Sequence, residues 1–174
     1  MKKPDGSITM AKFHGVPIYL HWSFPAGAFM PLVFARFEII ASLYLIAGYV
    51  FLVAMHEIGH LLAARMVNHR VVCIQISGAG GRCWTEAPRT RRAAVVIYSG
   101  GLIAQLVIFT VGVACFVLFD EVRSYTLSYW LITATFMNAA IFFANIVPSS
   151  SAREGTTDGY LLWSIMKAAW RERA

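Results

Sequence analysis

The chain has 174 residues, 58% of them hydrophobic and 14% charged, with a mean hydropathy of +0.61, a profile that excludes an ordinary soluble domain and marks a membrane protein. A net charge of +6 invites a nucleic-acid reading, but the distribution of the cations excludes it. With four spans and a cytoplasmic N-terminus, Lys2, Lys3, Lys12, Arg65, Arg70, Arg82, Arg89, Arg91, Arg92, Arg153, Lys167, Arg171 and Arg173 face inside and only Arg36 and Arg123 face outside; this bias orients the chain and brings its basic residues to anionic lipid headgroups.

The N-terminus is polar through Lys12 and is not expected to be a signal peptide. From Gly15 to Trp22 the residues alternate as in a short strand leading into the first predicted span, residues 16–34, which Pro25 and Pro31 interrupt. His21, next to Trp22, is expected to hydrogen-bond at the headgroup level rather than to bind metal. A second span is predicted over residues 37–62, and near its end stands His56-Glu57-Ile58-Gly59-His60. Positions four apart on a helix lie about 40° from each other, so the two imidazoles face one point and Glu57 flanks it. Two histidines that can share a metal, with a carboxylate able to take a proton from a metal-bound water, make a zinc-hydrolase pattern. Three ionisable side chains in an apolar run are costly and read as functional.

Residues 71–77 (VVCIQIS) are β-rich and Gly78-Ala79-Gly80-Gly81 follows as a turn. Such a strand at membrane depth needs partners for its backbone. The N-terminal strand is one candidate, an extended substrate another; the plainer alternative is a surface loop joining two spans. A third span is predicted over residues 93–119, where Gly100 and Gly101 suit close helix contact, and a fourth over residues 127–147, which carries Asn138 and Asn145. Asn138 reads equally as helix-to-helix glue or as functional; Asn145, just before Pro148, is the better site candidate. Cys73 and Cys83 are expected to stay reduced and, lacking a CxxC spacing, not to bind zinc, while Cys115 is a packing residue.

A catalytic zinc takes three protein ligands and keeps one position for water. The third donor is expected from the segment after Pro148, where Asp158, followed by Gly159, competes with Glu154. Residues 160–173 read as an amphipathic helix lying along the interface. The expected architecture is an all-α polytopic membrane protein forming a single domain over residues 1–174. It would have about four transmembrane helices, a small membrane-associated β-strand or hairpin region and a C-terminal interfacial helix.

Gly15 to Phe24 (GVPIYLHWSF), HEIGH, the glycines at 78–81, Asn145-Ile146-Val147-Pro148 and Asp158-Gly159 together resemble the site-2 protease family of intramembrane zinc metalloproteases. The resemblance covers nearly the whole chain. It implies a zinc metalloendopeptidase with one zinc ion on His56, His60 and Asp158, Glu57 as the base and Asn145 at the site. It also implies that the strand at 71–77, with Ile74 and Ile76, offers its edge to unwound substrate. The ten residues from Pro148 to Asp158 exceed the family's usual spacing, so a bulge is expected there. Neither a PDZ nor a CBS domain is read in these residues, so selection of membrane-protein substrates is expected from the membrane core or an accessory membrane partner. The implied location is a bacterial or archaeal plasma membrane, with both termini and the active site toward the cytoplasm. The alternative function is a catalytically inactive metal-binding scaffold of the same fold.

Overall fold

The structure is a computed structural model that describes residues 3–78, 80–118, 125–151 and 155–172. It opens with a hairpin of β1 (Ser7–Phe13) and β2 (Val16–His21). The two-residue connection is His14-Gly15, both at positive φ, the backbone that tight hairpins require. A short helix α1 (Phe24–Phe34) follows, and then α2 (Ile39–Met66), which runs 28 residues through the HEIGH segment. Two further strands, β3 (Val71–Ser77) and β4 (Gly80–Thr85), connect α2 to α3 (Arg91–Leu118).

The next helical segment is built in three pieces: α4 (Tyr125–Ile132), a π-helical turn over Thr133–Met137, and α5 (Asn138–Ile146). Strands β5 (Ser150–Ser151) and β6 (Gly155–Thr156) form a small antiparallel pair, and α6 (Asp158–Arg171) closes the described chain. Three helical segments, Ile39–Met66, Arg91–Leu118 and Leu127–Ile146, are long and apolar enough to cross a membrane.

The architecture is therefore mostly helical, with one four-stranded sheet ordered β1-β2-β3-β4 packed against α2. Two expectations need correction. Residues 16–34 are not one spanning helix. Val16–His21 is strand, because Ile18, Tyr19 and Leu20 pair in parallel with Ile74, Gln75 and Ile76. The helix that follows has only 11 residues, about 16 Å of a hydrocarbon core that is about 30 Å thick.

The second correction concerns the strand at 71–77. It is an inner strand, held by β2 on one side and antiparallel β4 on the other, so both its edges are used. Ile74 and Ile76 are 1% and 2% exposed, and Ile74 packs with Val16 and Leu61. They are core residues. The end of the sheet on this side is β4.

The β3–β4 hairpin climbs back along α2. Its turn reaches Tyr49, whose hydroxyl donates to the Gly78 carbonyl (3.3 Å), and Gly78 N–H donates to Ser23 Oγ (3.1 Å) at the start of α1. His21 joins this knot: its Nδ1 accepts from the Ser23 backbone N–H (3.2 Å) and pairs with Ser23 Oγ (2.7 Å), a structural role as expected for it.

Helices α2 and α3 cross through small residues. A side-chain carbon on Gly100 would lie 2.5 Å from the Gly59 carbonyl oxygen, so only glycine allows this approach. Asn138, delivered by the π-helical turn, donates to the Gln105 carbonyl on α3 (2.7 Å). Its side chain thus ties this three-piece helical segment to α3, the first of its two expected roles.

Helix α6 is anchored at both ends. Arg91 at the start of α3 pairs with Glu172 (2.6 Å), while Asp158 in the first turn of α6 reaches the histidines of α2. Its 14 residues span about 21 Å, against about 9 Å of α3 between Arg91 and Ile97, so α6 descends obliquely beside α3.

Candidate metal centre

HEIGH sits in the second half of α2, where the helix is covered by α3 on one side and β4 on another. His56, Glu57 and His60 are 5%, 2% and 6% exposed. The four-residue spacing brings the two Nε2 atoms to 3.1 Å. Gly101 on α3 leaves them room: a side-chain carbon there would lie 2.5 Å from His60 Nε2 and 2.6 Å from His56 Nε2.

Asp158 completes the group. Its Oδ2 lies 3.0 Å from His56 Nε2 and 3.2 Å from His60 Nε2. Three local features bring it there. The residues after Pro148 fold back as the β5–β6 pair, which takes up the ten-residue spacing. Thr157 caps α6 by accepting from the Tyr160 N–H (3.3 Å) and donates to the Val147 carbonyl (2.8 Å). Gly159 packs directly on the Ile146 carbonyl, where any Cβ would collide. Glu154, the competing carboxylate, lies outside the described residues.

The outward nitrogens of both imidazoles fix which ring atoms carry lone pairs. His60 Nδ1 is 2.7 Å from the Ile97 carbonyl, which can only accept, so Nδ1 carries the proton. His56 Nδ1 lies 3.1 Å from Gln105 Oε1 and donates in the same sense. Both Nε2 atoms then present lone pairs to each other and to the carboxylate. Three acceptors within 3.2 Å of one another repel unless a cation holds them.

The residues fit a zinc ion. Ligand atoms about 2.0 to 2.1 Å from a tetrahedral zinc stand about 3.3 to 3.4 Å apart, close to the triangle found here. Two imidazoles fixed through Nδ1 by a side-chain amide and a backbone carbonyl, plus one carboxylate, are an ordinary zinc donor set. Among the described residues His56, His60 and Asp158 are the group that could hold a metal ion. Cys73, Cys83 and Cys115 are all free. Cys83 faces the site, but burial, with Glu57, Cys73 and Asp158 adding to it, pushes its thiol up and keeps it a neutral thiol.

Glu57 points into the same space. Its Oε2 is buried without a hydrogen-bond partner, and its carboxylate lies against Gly81 of β4, where any side chain would displace it. A cavity of about 400 Å³ opens over His56, Glu57, His60 and Asp158, walled by Gly81, Arg82, Cys83 and Thr85 of β4 on one side and by Asn145 and Thr157 on the other. A smaller one of about 150 Å³ continues past Glu57 and Asn145 toward Tyr49.

Asn145 is thus at the cavity wall, while Ile74 and Ile76 lie in the sheet interior, away from it. Sequence reasoning missed Gln105 and β4. Gln105 had a readable signal: it is an amide in the middle of an apolar span and is 0% exposed.

No family model and no curated protein sequence matches the chain. Its fold is similar to a solved structure described as "Site-2 Protease from Methanocaldococcus jannaschii", with a TM-score of 0.69 and 20% identity over 94% of this chain and 72% of that one. The chain has the site-2 protease fold.

Proposed function

We propose that this protein is an intramembrane zinc metalloprotease that hydrolyses peptide bonds of membrane-protein substrates. The observation that carries the reading is the triangle of His56 Nε2, His60 Nε2 and Asp158 Oδ2 beside Glu57, whose buried Oε2 has no hydrogen-bond partner, at a cavity among helices long and apolar enough to cross a membrane. The site-2 protease fold supports it. A zinc ion held by these three side chains would supply Lewis acidity toward water and the scissile carbonyl.

The other steps belong to the chain. Glu57 accepts a proton from the attacking water as oxygen adds to the carbonyl carbon. It returns that proton to the amine nitrogen as the C–N bond breaks. Asn145, on the cavity wall, donates its amide to a substrate carbonyl. A substrate helix must unwind before cleavage, and backbone groups exposed at depth need new partners. β4, at the end of the sheet and lining the cavity, offers such partners in place of 71–77.

The scaffold alternative has less support, since binding a metal needs no carboxylate beside it. The test is Glu57→Gln, co-expressed with candidate single-span membrane proteins. Zinc content should persist and cleavage should fall by at least about a hundredfold; undiminished cleavage would overturn the mechanism. Asp158→Ala should lose both metal and activity, and full retention of zinc would move the third donor elsewhere.

A further inference from the structure

We infer that α6 docks on the anionic interface of the bilayer and that this docking holds Asp158 in the metal centre. The inference rests on the metal site just proposed. Its basis is that α6 has two apolar faces and packs only one of them. At about 100° per residue, Leu161, Ile165, Ala169 and Leu162 fall within an arc of about 100°. All four are half-buried, facing the body of the protein. On the other side Met166, Trp170, Trp163, Lys167 and Arg171 fall within about 140°. Met166, Trp170 and Trp163 there are 60%, 73% and 45% exposed.

The composition and position of this outer face name its occupant. Tryptophans seat at the headgroup level of a membrane, and basic side chains beside them reach anionic lipid. Lys167 and Arg171 stand one turn apart at one edge of the stripe, with Lys167 Nζ 4.7 Å from the centre of the Trp163 ring. The Arg91–Glu172 pair fixes the end of α6 at the start of α3, where exposed Arg89 and Arg92 add to the same charge. That is the level at which a helix long and apolar enough to span leaves the hydrocarbon. A protein partner would find a stripe of the same shape, but the cations favour phospholipid.

The consequence for the site follows from where α6 begins. Asp158 is the first residue of α6, whereas both histidines belong to α2. The seat of α6, together with the local contacts of Thr157 and Gly159, therefore sets the distance between the carboxylate and the imidazoles. Docking its outer face on lipid presses its inner face against α3 and keeps the triangle closed.

The experiment uses the full chain in vesicles of phosphatidylcholine alone or of phosphatidylcholine mixed with phosphatidylglycerol. Zinc retention against a competing chelator is measured, together with tryptophan quenching by brominated lipid. Zinc should be held more tightly in the anionic vesicles, and Lys167→Gln with Arg171→Gln should erase the difference, by about fivefold for each charge removed. Quenching should drop in the Trp163→Ser/Trp170→Ser variant. Equal zinc retention by the wild type in both vesicles overturns the inference while leaving the metal site intact, as does a Trp163 and Trp170 pair that lipid quencher cannot reach. Absence of zinc from the wild type in every vesicle defeats the metal site itself, and this inference with it. The wild-type comparison decides the matter even if a variant fails to insert.

Discussion

At the scale of single residues, the least conspicuous member of the centre is Gln105. Its Oε1 holds His56 Nδ1–H, and its backbone carbonyl is in turn held by Asn138. A ligand histidine whose far nitrogen is fixed keeps its lone pair on the metal side, and losing such a partner costs about 10- to 100-fold in metal affinity. Gln105→Ala should weaken zinc binding by that amount in a competition titration, while Gln105→Glu, which keeps an acceptor, should retain most of it. Unchanged affinity in Gln105→Ala would reduce the contact to packing. The histidines and Glu57 were legible in the sequence because charge in an apolar run has few other uses, whereas the residues alone left Asp158 open against Glu154 and the family resemblance chose it. Gln105 was not, because its role depends on which residue of another helix it faces, and spacing within one helix carries no information about that.

Among the elements, the sheet inverted the simplest inference. The β-branched run at 71–77 marks the strand that is covered on both edges, since apolar residues are what a buried strand requires. The strand beside the cavity, Gly80–Thr85, carries two glycines and an arginine and has little β-propensity of its own. It is strand because β3 pairs with it through Thr85 to Gly80 and because Gly81 must lie flat against Glu57. Gly81→Val should therefore displace the Glu57 carboxylate with little effect on the metal ligands. Cleavage should fall by about a hundredfold, the usual cost of a misplacement near 1 Å, with zinc content unchanged. Parallel loss of zinc would mean that the valine disturbs α2 as a whole.

For the molecule as a whole, the question is how many times the chain crosses. Three helical segments qualify by length and composition, and three crossings would leave the two termini on opposite sides. The first apolar stretch bears on this, because β2 runs parallel to β3, and β3 climbs from the end of α2 toward Tyr49. Six strand residues and 11 helical ones rise about 20 Å and about 16 Å, together about the thickness of the hydrocarbon. A strand at such depth would need partners on both edges, and β2 has them in β1 and β3. With a fourth crossing made in this way, tags on both termini should be accessible from the same, cytoplasmic side, as the charge distribution leads one to expect. A tag reachable from outside would reduce the crossings to three. Hydropathy could register this stretch as apolar, but could not divide it into strand and helix, since pairing with residues 74–76 decides that.

The triangle of donors also closes a loop through the chain. His60 and Asp158 are about a hundred residues apart, and a bond between them removes from the unfolded chain the freedom of everything in between. By the chain-entropy model a permanent link over such a loop contributes about 4 to 5 kcal/mol. A bound metal would act as a reversible cross-link of this kind, made between the last helix and the second. Chelation should then speed hydrogen exchange throughout Asp158–Arg171 while leaving the exchange of α3 nearly unchanged. Identical protection of α6 with and without metal would show that packing against α3 alone closes the loop.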